Sequence, residues 1–391
     1  MGPLDDRLKR REFLARGARW GGGLVLSTAA ADLLAACGST TAAPASDQQL
    51  LSGSGPIPLD ILKSRVISVD KGVLNATGIP PEWADYQDIL DGMQKNFSVT
   101  VDYKAQAEFS SAQEIQAIKS TISGNGFVPD IGDVGPALGV TAVQENLVVA
   151  YKNANWKDVP DLMKESSGKY CGEYYGVQAF VVNTKVVTNV PADWADLQKP
   201  EYRHKIGIDG DPRQATDAQM AVWSAALANG GSVDNIQPGI DFFNHLKSSG
   251  NYTPARSDKA HMQTGEVGIG IFWDYLGLGF RDSFAGNPDI KVVIPPSGSL
   301  AGYYVAIVSK YAKHPWAARL WNEYIMSDEG QNFYLKGYAH PARYLAMASA
   351  GKIPADLAAK LPSSDQYKNV KFVTPDQQTK AKDALAANWT G

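Results

Sequence analysis

Cysteine is scarce: the 391 residues hold two thiols, Cys37 and Cys171. That excludes a disulfide framework and a cysteine-rich metal site. Histidine is nearly as sparse, and His204, His245, His261, His314 and His340 are scattered without metal-ligand spacing, so no metal ion or other cofactor is expected. Basic residues do not predominate: 37 Lys and Arg stand against 41 Asp and Glu, which argues against a nucleic-acid partner. There is no G-x-S-x-G, H-E-x-x-H or P-loop, and Cys171 has no neighbouring histidine. Ser68-Val69-Asp70-Lys71 matches S-x-x-K, but no S-D-N or K-T-G accompanies it. A secreted hydrolase, the rival reading from another functional class, therefore has little support. No fixed-period repeat is present, so solenoids and propellers are not expected. After residue 40 no run reaches the ~20 apolar residues of a membrane span.

What is present begins with residues 1–36, which have a secretory signal's order of charge, apolar stretch and small residues. Arg7, Lys9, Arg10 and Arg11 open it, and a weakly apolar run extends from Trp20 to Ala36. Lys9-Arg10-Arg11-Glu12-Phe13-Leu14 closely resembles the twin-arginine export signal. Leu34-Ala35-Ala36-Cys37-Gly38 resembles the bacterial lipobox, whose thiol receives a diacylglycerol, although Asp32 interrupts the apolar run. The expected location is therefore outside the cytoplasm, lipid-anchored through Cys37 at the outer face of the cell membrane or in the periplasm. Six basic and four acidic residues precede Cys37, which leaves a mildly acidic mature chain of 31 and 37. Residues 37–58, rich in Gly, Ser, Thr, Ala and Pro, read as a flexible tether.

The remainder is long enough for two compact lobes of ~100–200 residues each. Short apolar strands alternate with amphipathic helices, the pattern of an α/β protein. Strands are predicted at 65–70, 99–105, 130–135, 205–209, 267–273, 291–295 and 304–309. A helix starting near Pro81 carries Trp83, Tyr86, Ile89, Leu90, Met93 and Phe97 on one face. Ser111-Ala112-Gln113-Glu114 reads as a capping box that opens a second helix. Thr216 with Gln219 is expected to cap a third, Pro238 and Pro315 to begin two more, and Ser327 to cap a short one ending at Gly337.

These segments together resemble the two-lobed solute-binding proteins of ABC importers, in the branch that holds ferric-iron, phosphonate, thiamine and polyamine binders. The resemblance is carried by Asp193-Trp194-Ala195-Asp196-Leu197 with Pro200-Glu201-Tyr202 and Lys205-Ile206, by Tyr175-Gly176 through Asn183, and by Thr264-Gly265-Glu266-Val267-Gly268-Ile269-Gly270. Pro295-Pro296-Ser297-Gly298 and His314-Pro315 through Gln331 continue it, so that it covers nearly all of the chain after Ile61. It implies a type II periplasmic-binding-protein fold with two crossover strands and a ligand cleft. The lobes would be 59–173 plus 304–342 and 174–303 plus 343–391. It also implies a monomer that traps a small solute by hinge closure and hands it to an ABC permease with its ATPase.

In open α/β sheets ligands bind beyond the C-terminal strand ends, which selects the candidate loops. Phe109, Ser110 and Ser111 open a helix with free N–H groups, although capping explains the hydroxyls equally well. Asp133 ends a strand beside Gly135. Asp211 and Arg213 lie in the strand-to-helix loop Asp209–Thr216, where the arginine could clamp an anion, and the acidic pair Asp209 and Asp211 could equally grip a cation or cap the turn. Trp273, Asp274 and Tyr275 follow a strand; an indole beside a carboxylate suits an ammonium group. Ferric binders of this branch carry a tyrosine pair near that place, by resemblance, and tryptophan with aspartate here turns the expectation away from iron. Of the neighbours Tyr174-Tyr175 and Tyr303-Tyr304, alternation lets one of each reach the cleft, and Tyr175 and Tyr303 are the candidates. The favoured solute is an amine or a zwitterion, such as a polyamine or an aminophosphonate. Ferric iron is the alternative within the same fold.

Overall fold

The computed structural model describes residues 45–390 except 125, 363 and 368. The expected export signal, Cys37 and the first part of the tether lie outside the described residues. The chain divides into Met1–Ala45 and the folded body Ser46–Gly391.

Among the described residues ten strands form the body's sheet: β1 Val73–Thr77, β2 Thr100–Asp102, β3 Ile131–Val134, β4 Cys171–Asn183, β5 Ile206–Ile208, β6 Ile269–Trp273, β7 Ile290–Val293, β8 Leu300–Val308, β9 His340–Pro341 and β10 Lys371–Phe372. The order is β2-β1-β3-β8-β4-β6-β5, with β7 and β9 on β4 and β10 on β8. Pairing is parallel for β1 with β2 and β3 and for β5 with β6, whereas β8 runs antiparallel to β3 and β4, and β4 antiparallel to β6. The expected α/β class with two crossing strands is thus present. β4 and β8 are those strands: β4 pairs with β8 over Cys171–Val177 and with β6 over Gln178–Val182. All residues of β4 except Tyr175 are buried.

At the middle of the crossing, Gly176 and Gly302 are register partners. A Cβ on Gly302 would stand 2.2 Å from Trp273 Cη2, and one on Gly176 2.6 Å from two ring carbons of Tyr275. Two missing side chains therefore create the hollow in which an indole and a phenol are seated.

Several local expectations change. Residues 65–70 are not a strand: the helix Leu59–Ser68 takes in 65–68 and buries Leu62 and Val66 at i, i+4 spacing. This helix packs against the helix Pro315–Ile325, while Ile67 and Val69 stay about half exposed. Asp70 then accepts from the Trp316 and Ala317 N–H groups at 2.8 and 2.7 Å and so caps that helix. The helix predicted near Pro81 is Tyr86–Phe97, delayed by left-handed Ala84 and Asp85. Its inward face includes Tyr86, Ile89, Leu90 and Met93, as the spacing predicts. Ser110 rather than Ser111 is the N-cap of the helix Ser111–Ile122, and Thr216 is the first residue of Thr216–Ala228 rather than its cap. Within the expected tether, Asp47–Ser52 is a helix with a Ser46–Gln49 capping box. It is docked by Asp47 to Arg65 at 2.8 Å and by Arg319 to the Leu51 carbonyl at 2.8 Å. Leu50 and Leu51 pack on the core, a contact that a Gly/Ser-rich composition hides.

The glycine hollow is testable. Gly302→Ala should lower the unfolding free energy by about 1–3 kcal/mol, the cost of overpacking a filled interior, read as a lower urea midpoint. An unchanged midpoint would show that the indole moves aside freely.

Candidate functional site

Loops from both sides of the crossing enclose a cavity of about 200 Å³. That is smaller than the roughly 300–1,000 Å³ of pockets for drug-sized molecules, so the space suits a small solute. Six carboxylates line it: Glu108, Glu114, Asp133, Asp209, Asp211 and Asp217. Among the described residues, Arg256 is the one cationic side chain in the lining.

Asp133 lies on β3, whose pairing with β8 sets its place beside the crossing. Its Oδ2 accepts from Tyr86 at 3.0 Å and from Tyr174 at 2.8 Å, while Oδ1 is buried without a partner. Asp217 lies in the first turn of Thr216–Ala228; its Oδ1 accepts from Gln178 Nε2, and its Oδ2 is likewise buried and unpartnered. Burial raises both carboxyls well above the ordinary range, with Glu173 and Glu114 adding to Asp133 and Asp209 adding to Asp217. Tyr174 and Gln178 belong to the same strand and point to the same face, so β4 positions one carboxylate in each half.

Glu114 accepts from Thr77 Oγ1 at 2.8 Å and from the Asp133 N–H at 3.1 Å, and burial raises its pKa well above normal. Glu173, pushed up to about 7 by burial, accepts from Tyr334 at 2.5 Å and from Tyr86 at 3.1 Å. Trp83 and Tyr304 give the cavity an aromatic wall, with ring centroids 6.3 Å apart in an edge-on arrangement. Asp209 at the end of β5 receives Arg256 Nε, and Arg256 Nη2 reaches Glu108 at 3.3 Å. Asp211 is paired with Arg213 at 2.6 Å.

Of the residues expected from sequence, Phe109, Ser110, Ser111, Asp133 and Asp211 line the cavity. Ser111 also accepts from the Gly135 N–H at 2.9 Å. Arg213, Tyr175, Trp273, Asp274, Tyr275 and Tyr303 are not in the lining. Trp273 fills the hollow over Gly302 and is fully buried. Asp274 is spent on the Val177 and Tyr275 N–H groups, each at 2.9 Å, and on Tyr367 at 2.8 Å. The pair expected to meet an ammonium group is thus a packing and capping pair. Tyr275 is buried with its ring edge-on to Tyr174 at 5.7 Å. Registers Tyr174↔Tyr304 and Tyr175↔Tyr303 put the second pair on the other face: Tyr175 stacks on His340, and Tyr303 donates to the Leu162 carbonyl at 2.8 Å. Tyr304, not Tyr303, reaches the cavity.

Sequence reasoning missed Glu108, Glu114, Asp217, Arg256, Trp83 and Tyr304, whereas Asp209, one of the acidic pair offered for a cation or a turn cap, does line the cavity. Glu114 carried a usable signal, because it is a charge on the buried stripe beside Ile115 and Ile118. Asp217 lies in the first turn of a helix, where an acid is ordinary, and Arg256 lies in a loop with no motif.

The comparisons with known proteins agree with this architecture. The profile of the family described as bacterial extracellular solute-binding protein matches residues 128–373. The spermidine/putrescine-binding periplasmic protein of Salmonella typhimurium is 25% identical over 210 residues, 53% of this chain and 54% of that protein. The chain spans about half the length of the curated relatives it matches. A putative spermidine/putrescine ABC transporter structure from Listeria monocytogenes matches with TM-score 0.60 at 16% identity, covering 81% of this chain and 98% of that one. Iron-bound HitA from Pseudomonas aeruginosa matches with TM-score 0.61 at 17% identity over the same shares. At such identities the structural likeness concerns the fold alone.

Folded, Asp133 and Asp217 bind protons more tightly than unfolded, so the stability they lend is complete below the ordinary carboxylate range and is lost as pH rises through their raised values. Without added solute, stability should therefore fall in denaturant titrations as pH rises above the ordinary carboxylate range. Asp217→Asn should flatten that slope and raise stability at its alkaline end; a slope unchanged by the substitution would contradict this assignment.

Proposed function

The chain belongs to the bacterial extracellular solute-binding proteins, and from that premise we propose that it captures a small amine-bearing solute in the acidic cavity and delivers it to an ABC permease. The observation that carries the proposal is a pair of acids that line one cavity, Asp133 and Asp217, each with one buried carboxylate oxygen, Oδ1 and Oδ2 respectively, that has no hydrogen-bond partner. A buried acceptor without a donor costs free energy, and a charged one costs more. An alkylammonium group supplies both the hydrogen bonds and the countercharge. Trp83 and Tyr304 add ring faces suited to the same cation.

The anionic end of a zwitterion has less to bind, because Arg213 is engaged by Asp211 and Arg256 by Asp209 and Glu108. The proposal therefore narrows to amines. The curated relatives named for spermidine and putrescine support the same choice. Iron remains the rival cargo. Tyr303 and Tyr304 point to opposite faces, so this adjacent pair does not assemble on one ion.

The wider reading goes with it: the solute is carried without chemical conversion, by a monomer exported and lipid-anchored through Cys37. The body divides into lobes at 59–173 with 304–342 and at 174–303 with 343–391, which close on the solute about β4 and β8.

Isothermal titration with 1,4-diaminobutane, spermidine, aminoethylphosphonate and ferric citrate tests the proposal. Amine binding should weaken about 10- to 100-fold in Asp133→Asn or Asp217→Asn, as expected for about 1.5–3 kcal/mol per charged hydrogen bond. Response to ferric citrate alone, or full amine affinity in both variants, would overturn it. Because a bound cation favours the ionised carboxyls, amine binding should release protons and tighten as pH rises. Titrations in buffers of different ionisation enthalpy measure that release, and none at all would sink the assignment.

A further inference from the structure

Arg256 is a cation built into a site that is otherwise lined by acids. Its backbone is held in place by the neighbouring strand: Thr253 donates to the Ile206 carbonyl at 2.7 Å and Ser257 to the Ile208 carbonyl at 3.1 Å, so the intervening segment runs alongside β5. From there the guanidinium forks between Asp209, which lies in the same half, and Glu108 at 3.3 Å, which comes from the loop before Ser111–Ile122 in the other half. An arginine can hold two carboxylates at once in this way, because its planar fork presents several donors in fixed directions.

The charges in the cavity can be assigned one by one. Asp211 is neutralised by Arg213. Glu114 is buried, and its Oε2 is held by Thr77 and the Asp133 N–H. Asp209 and Glu108 share Arg256. Of the cavity carboxylates, Asp133 and Asp217 each keep one buried oxygen without a partner among the described residues. We infer that Arg256 sets the number of ammonium groups the cavity accepts, by occupying the carboxylates that a third would use, so that the site selects short diammonium solutes over triammonium ones. The inference rests on the amine reading above and adds to it a specificity-determining residue.

The test is the ratio of affinities for spermidine and 1,4-diaminobutane, measured by isothermal titration on the full chain. The unaltered protein should favour the diamine. Arg256→Met removes the charge and frees Asp209 and Glu108, and should move the ratio toward spermidine by about tenfold or more, the worth of one charge-assisted hydrogen bond. Arg256→Lys, which restores the cation, should return the ratio toward its starting value. Glu108→Lys, at a largely exposed position whose exchange leaves the core intact, should move the ratio the other way and keeps the test open if Arg256→Met does not fold. A ratio unchanged in these variants, or equal weakening of both amines, would overturn the inference while leaving the amine reading in place. Absence of amine binding by the unaltered chain would overturn both.

Discussion

Between Cys171 and Val177, strand β4 lies antiparallel to Ala301–Ala306 of β8, and both the halves of the sheet and the cavity depend on that ladder. One face of β4 carries Tyr174, Gly176 and Gln178 in succession. Tyr174 donates to Asp133, Gln178 donates to Asp217, and Gly176 leaves room between them for Tyr275. Along the strand, Tyr174 and Gln178 are roughly 13 Å apart, at ~3.3 Å per residue. A single backbone ruler therefore spaces two acids that belong to different parts of the chain. A one-residue slip in this register would turn both donors to the opposite face.

The acids can be buried because they need not be charged. Asp133, Asp217 and Glu114 all have pKa values raised by burial, so the folded chain can hold them protonated and avoid isolated charges in an apolar setting. Tyr86 and Tyr174 donate to Asp133 without adding charge, which leaves its second oxygen free. Arg256 treats Asp209 differently, with a permanent cation and a bridge to Glu108. Neighbouring carboxyls are thus prepared for different roles by the groups that surround them.

Much of this was visible in the sequence at the level of elements. Apolar runs marked β3, β5, β6 and β8, and the inward face beginning at Tyr86 followed from helical spacing. The run at 65–70 misled because Val66, Ile67 and Val69 favour strands locally, whereas Leu62 and Val66 satisfy a helical stripe that only the packed partner reveals. The site was half visible. Phe109, Ser110, Ser111, Asp133 and Asp211 could be picked out because they follow strands or open helices. Trp273 and Asp274 could not be separated from a true ligand pair, since what removes them from the cavity is a hollow made by glycines far away in sequence. Arg256 and Asp217 join the site only through register and loop placement, which a single sequence does not encode in any local pattern.

The glycine hollow also bears on how this chain can change over generations. Gly176, Trp273, Tyr275 and Gly302 fit as two small positions against two large ones. Shrinking Trp273 leaves a void that glycine cannot fill by any rotamer, and enlarging Gly302 meets a ring with nowhere to go. Each single step is therefore opposed, while a paired exchange of volume between the strand position and the ring position keeps the interior filled. These four sites should drift as a linked set, with lineages differing at two of them together, even though none of them touches the cavity that the fold encloses.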